Sequence, residues 1–151
     1  MIKIFYSYNT EESNSFIKKA LGKTGYKNIE IKRTENGKPY TEGNVFFSLS
    51  HTENFIVCAI SDSEIGIDAE RMRSVEKRER IAKKILKKEN INSDKEFLEL
   101  WTKYESKIKF YGKKLFNSLS EEEINTHTFM IGDYIVSVCA EKIENIVVEM
   151  I

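Results

Sequence analysis

Asp68 and Glu70 lie two residues apart at the end of the apolar run Ile65-Gly66-Ile67. In a strand, residues i and i+2 share a face, so both carboxylates project together. Such a pair is tolerable in solvent, with one member protonated, or with a cation between them. A hard divalent ion such as Mg²⁺ suits two carboxylates that leave room for water and phosphate; a solvated strand end is the alternative. Glu105 and Lys109 stand at i and i+4 on a helix. They are either a surface pair worth ~0.3–0.5 kcal/mol or a third acidic group beside a phosphate-binding cation. Ser50 and His51 close the segment Phe47-Ser48-Leu49-Ser50-His51-Thr52. Ligand-contacting residues gather at such strand ends, although a lone histidine there is also an ordinary structural hydrogen-bonder. Lys38-Pro39 follows a turn at Asn36-Gly37, and His127 reads as structural.

The elements that must position these residues are short. The chain has 151 residues, with 24 Lys+Arg against 24 Asp+Glu and nine Phe and seven Tyr. That is enough for one compact domain or two small halves, and too apolar for disorder. Zero net charge argues against a nucleic-acid protein held by a basic field over its whole surface. Cys58 and Cys139 sit in apolar runs and read as small core residues, not as a disulfide or metal pair. The alternation of MIKIFYSYNT is no secretory signal and no apolar run is long enough to span a bilayer, so a cytoplasmic protein is expected.

Strands are predicted at 2–8, 26–33, 45–49, 55–60, 65–69, 126–131, 134–140 and 146–150, with a hairpin joining 55–60 to 65–69 across SDSE. A short helix over 12–22 should close at Gly22, and a basic helix should cover 75–88. Ser93 and Glu96 form a capping box for a helix running to about Tyr111 and stopping at Gly112. Its apolar stripe is read as Phe97, Trp101, Tyr104, Ile108 and Tyr111. A turn near 118–124 follows, with Ser118 and Ser120 as caps. Phe55-Ile56-Val57-Cys58-Ala59 echoes Tyr134-Ile135-Val136-Ser137-Val138, a weak sign of duplication. The class is α+β.

In order, the chain carries Asn36-Gly37-Lys38-Pro39, Ser48-Leu49-Ser50-His51-Thr52, Ile65-Gly66-Ile67-Asp68-Ala69-Glu70, Trp101 to Lys109, and Gly112-Lys113. This set resembles the 4'-phosphopantetheinyl transferase superfamily, in particular the surfactin-synthetase-activating type. Its pattern reads GKP, (N/S)-(I/L)-S-H-(S/T), (V/I)-G-(I/V)-D-x-E and W-(T/S)-x-K-E-(S/A)-x-x-K. The resemblance implies two similar α/β halves, about 1–62 and 63–151, each with a small antiparallel sheet and a long helix, packed about a pseudo-twofold axis. It implies a monomer that moves the 4'-phosphopantetheine arm of coenzyme A to a serine of an apo acyl or peptidyl carrier protein, releasing adenosine 3',5'-bisphosphate. By the same resemblance Asp68, Glu70 and Glu105 would hold Mg²⁺, with Glu105 also the general base. Lys109 would neutralise the pyrophosphate, Ser50 and His51 would contact phosphates, and Lys38 with Pro39 would lie along the adenosine end.

Two departures stand beside it. Tyr104 occupies the place of the family's Lys, and the chain is short before GKP and after the long helix, leaving Lys18, Lys19 and Arg33 as weak candidates for the 3'-phosphate. Together they favour, as the alternative, a weakened relative that binds coenzyme A or a carrier protein. The basic helix 77–88 is a candidate docking face for an acidic carrier. Because the carboxylates are expected outside the core, Asp68→Ala or Glu105→Ala is expected to stop transfer and spare the fold.

Overall fold

The structure, a computed structural model, describes residues 1–9, 11–112 and 124–151. Lys113, Ser118 and Ser120, which carry the expected motif end and turn caps, lie outside the described residues. The elements run β1 (Ile2–Ser7), α1 (Ser13–Lys23), β2 (Lys32–Arg33), β3 (Pro39–Tyr40), β4 (Phe46–Thr52), β5 (Phe55–Ser61) and β6 (Ile65–Arg71). They continue with α2 (Arg78–Ile81), a π-helical turn (Ala82–Leu86), α3 (Asp94–Tyr111), β7 (Asn125–Ile131), β8 (Tyr134–Ala140) and β9 (Ile146–Met150). This is the α+β class.

Two sheets carry the fold. One has the order β4-β5-β1-β9 and the other β6-β8-β7. β5 and β8 are the middle strands and are buried on both faces, which is why each reads as an unbroken apolar run. The connectivity repeats: a strand, a helix and a hairpin whose second strand pairs back onto the first strand, as β1-α1-β4-β5 and as β6-α3-β7-β8. β9 then crosses back and pairs parallel to β1, so the first sheet is mixed. Between the sheets lies a core of Ile4, Phe55, Val57, Ile65, Ile67, Val136 and Val138. Phe55 and Tyr134, equivalent positions of the sequence echo, stack at 4.1 Å across it.

The expected hairpin between 55–60 and 65–69 does not form. β5 already has β1 on one edge and β4 on the other, through the tight connection Glu53-Asn54, so β6 leaves to pair with β8. Over 26–33 only Lys32–Arg33 is a strand, while Ile29 and Ile31 pack onto the core under α1. α1 buries Phe16, Ile17 and Leu21, each worth roughly 1.5–3 kcal/mol relative to exposure. It runs through Gly22 to Lys23. The left-handed residue is Gly25, and Tyr26 N–H to Leu21 O with Gly25 N–H to Gly22 O makes a Schellman end. The basic helix is also shorter than expected, because Arg80/Lys84, Lys83/Lys87 and Lys84/Lys88 put like charges at i and i+4.

α3 begins as its sequence dictates. Ser93 accepts from Glu96 N–H, Glu96 accepts from Asn92 N–H, and Gly112 ends the helix. Of the expected stripe only Phe97 is fully buried, and the buried face of the helix is Phe97, Leu98, Thr102 and Ser106. Trp101, Tyr104, Ile108 and Tyr111 lie half-buried beside it. The reason is close approach: a Cβ on Gly66 of β6 would stand 2.0 Å from Ser106 O and 2.5 Å from Phe110 N. Only small side chains fit where helix backbone meets strand backbone, and the hydroxyls of Thr102 and Ser106 bond back to Glu99 O and Lys103 O. Gly66→Ala is therefore expected to destabilise the fold by at least about 3 kcal/mol in chemical denaturation, since the clashing atoms are backbone.

Candidate active site

β6, β4 and the last turns of α3 converge on Asp68. That residue is 7% exposed. Lys109 of α3 donates to Asp68 Oδ1 at 3.0 Å and to Leu49 O at 3.2 Å, and Ser50 of β4 donates to the same Oδ1 at 3.3 Å. Asp68 Oδ2 is buried without a hydrogen-bond partner, alone in this respect among the described residues. A buried carboxylate oxygen left open is costly unless something binds it.

The electrostatics tie the remaining carboxylates to this point. Burial pushes Asp68 above the usual carboxylate range against the pull of Lys109. Burial also raises Glu70, and the charge of Asp68 adds to that, although Arg73 donates to Glu70 at 2.9 Å. Glu105 is raised by burial, then by Asp68 and, more weakly, by Glu70, while Lys109 pulls it down. The three expected carboxylates thus form one mutually repelling, part-buried set. They are not gathered into a ligand shell: among the described residues, no group of three or more His, Cys, Asp or Glu is arranged to hold a metal ion. All-oxygen donors, clustered negative charge and the open Oδ2 nonetheless suit a hard divalent cation in kind.

Beside the set opens a cleft of about 240 Å³, lined by Arg33, Lys38, Pro39, Leu49, Ile108 and Lys109. Cations and apolar side chains alternate there, a surface suited to an anionic ligand with an apolar body. Lys38 is committed: its ammonium bonds the Glu64 carboxylate, Ile65 O at 3.3 Å and Phe110 O at 3.2 Å. It closes the C-terminal end of α3, helped by Asn36 donating to Gly112 O at 2.6 Å. Arg33 donates to Gly37 O and Asn14 Oδ1 at the rim. Neither Ser50, which is buried, nor His51, which is exposed at the end of β4, lines the cleft, whereas Ser48 does. Lys19 pairs with Glu11, and Lys18 lines a separate cavity with Tyr26.

Sequence reasoning missed Ser48, Glu64 and Asn36. Ser48 carried a signal, since two serines two apart in an apolar strand share one face and both need buried partners. The expectation that Asp68 lies outside the core is also corrected, because β6 carries it into the junction of three elements.

A curated relative, the 4'-phosphopantetheinyl transferase gsp of Aneurinibacillus migulanus, is 36% identical over 98 residues, covering 59% of this chain. The chain spans 40% of that relative's length. No protein-family model matches. The identity supports membership of the 4'-phosphopantetheinyl transferase superfamily, in agreement with the ordered motifs.

Carboxylates raised in the folded state keep protons that the unfolded chain has released, so their contribution is full below the unfolded pKa, about 4, and lost as pH rises through the raised values. Without divalent ions, Glu70→Gln and Glu105→Gln should each flatten that decline and unfold later than the unaltered chain above it. Asp68→Ala should instead cost about 1–3 kcal/mol, because part-buried Lys109 and buried Ser50 both lose a hydrogen-bond partner. Thermal and urea unfolding against pH checks all three; an unaltered slope in both Gln variants would refute the coupling.

Proposed function

We propose that this chain transfers the 4'-phosphopantetheine arm of coenzyme A to a serine of an apo acyl or peptidyl carrier protein. The observation that carries this reading is the ion pair of buried Asp68 with half-buried Lys109, set among raised carboxylates and opening on a cationic, part-apolar cleft. The serine oxygen attacks the phosphorus next to the pantetheine arm. A new P–O bond forms there, and the bond to the bridging oxygen breaks, releasing adenosine 3',5'-bisphosphate.

Each residue has a part. Glu105 takes the serine proton, and its raised affinity for protons brings it nearer to working pH. Lys109, already fixed by Asp68 and Leu49 O, neutralises charge that builds on the pyrophosphate. Asp68, Glu70 and Glu105 would hold Mg²⁺, which when bound supplies further neutralisation of the pyrophosphate oxygens. Ser50 orients Asp68, and the wall of Lys38, Pro39, Leu49 and Ile108 seats the nucleotide end. His51 reaches a phosphate from the open end of β4.

The same reading makes the repeated connectivity two halves about a pseudo-twofold axis, in a cytoplasmic protein active as a monomer. The exposed cations of 77–88, Lys83, Lys84, Lys87 and Lys88 among them, form the docking face for an acidic carrier. Intact-mass spectrometry of apo carrier proteins mixed with coenzyme A and Mg²⁺ is expected to show one added arm. Glu105→Gln should abolish it, and the Michaelis constant for the carrier should climb with salt. No mass shift on any of several acyl and peptidyl carriers would overturn the reading, and a flat salt response would remove the docking face.

A further inference from the structure

β6 has two edges, and only one is satisfied by a neighbouring strand. Its ladder with β8 runs from Ile65 to Arg71. On the other edge, the buried N–H groups of Ile67 and Ala69 meet no strand backbone. Ile67 N–H donates to Ser48 Oγ at 3.1 Å, and Ala69 N–H donates to Ser50 Oγ at 3.1 Å. Both pairs advance by two residues along both chains, so β4 lays two hydroxyls along β6 like rungs. Asp68 sits between them. Ser50 touches the carboxylate itself, whereas Ser48 touches only the backbone one residue before it.

We propose that Ser48 is a positioning residue for the carboxylate site: its hydroxyl fixes the β6 backbone at Ile67 and so sets where Asp68 presents its open oxygen. The inference rests on the functional reading above for its effect on transfer, but not for its effect on cation binding. Ser48 is 2% exposed and stands in the wall of the cleft, so its removal takes away the one protein acceptor that the structure gives Ile67 N–H. Ile67 N–H would then lose its protein partner, and the direct hydrogen bonds from β4 to this part of β6 would be reduced to those of Ser50, on the other side of Asp68. Second-layer hydrogen bonds of this kind typically change metal affinity or activity by about 10–100-fold. Fixing β6 against β4 also keeps the reach of Lys109 constant, because that side chain bridges Leu49 O on β4 and Asp68 on β6.

The test compares the unaltered chain with Ser48→Ala and Ser48→Thr, the second keeping the oxygen on a strand-favouring side chain. Three readouts are taken. Amide exchange at Ile67 should speed up in Ser48→Ala and return toward the original rate in Ser48→Thr. Mg²⁺ or Mn²⁺ added without coenzyme A should raise the melting temperature of the unaltered chain and of Ser48→Thr, but much less that of Ser48→Ala. In transfer assays, Ser48→Ala should need about tenfold more divalent ion for half-maximal rate, with the Michaelis constant for coenzyme A little changed. A purely structural serine would lower all melting temperatures equally and leave the cation-induced rise intact, which would overturn the proposal, as would unchanged Ile67 exchange in Ser48→Ala. If the unaltered chain transfers nothing, the functional reading fails, while the exchange and cation arms still decide the role of Ser48.

Discussion

A carboxylate carried into the interior on a strand must be met by positive charge and hydrogen bonds, or it will not stay there. Asp68 imposes that requirement on this fold. Lys109 can meet it only if α3 lies close enough to β6 for its side chain to reach across, and the closeness comes from Gly66 opposite Ser106 and Phe110. Ser50 can meet it only if β4 runs along the free edge of β6. The close approach of α3 at Gly66 and the run of β4 along β6 are what bring these partners to one acid.

The same arrangement stores electrostatic repulsion. Burial raises Asp68, Glu70 and Glu105, Asp68 adds to the rise of both glutamates, and Lys109 and Arg73 compensate only in part. Held charge of one sign beside a cleft lined with cations is a poor arrangement for stability and a good one for a ligand that brings both a divalent ion and phosphates. The 24-to-24 balance of the chain is therefore an average over opposed local features. It excludes a basic field over the whole surface and leaves room for an anionic ligand in one cleft.

Much of this was legible in the sequence wherever a local rule acts alone. The capping box at Ser93, the stop at Gly112, the buried strands β5 and β8 and the Asp68/Glu70 pair follow from side-chain chemistry at fixed spacing, whereas Glu105 joined that pair only by what the resemblance implies. What escaped depends on partners far along the chain. The hairpin expected from 55–60 to 65–69 ignored that β5 had both edges filled. The aromatic stripe of α3 was judged by hydrophobicity, but the packed face was selected by backbone approach at Gly66. Lys38 looked available to a ligand, yet it turns inward to Glu64 and Phe110 O, a contact between positions 72 residues apart. For 75–88 the apolar edge suggests a longer helix than forms, and the i, i+4 repulsion that opposes it is also present in the sequence.

If the carboxylate set and the cationic cleft form one ligand site, coenzyme A and a divalent ion must bind cooperatively there. Calorimetric titration of coenzyme A, in Mg²⁺ and then in a chelator, tests this directly. Tighter binding with Mg²⁺, with the difference lost in Glu105→Gln, is the predicted result. Equal affinity in the two buffers, or no binding at all, would contradict it.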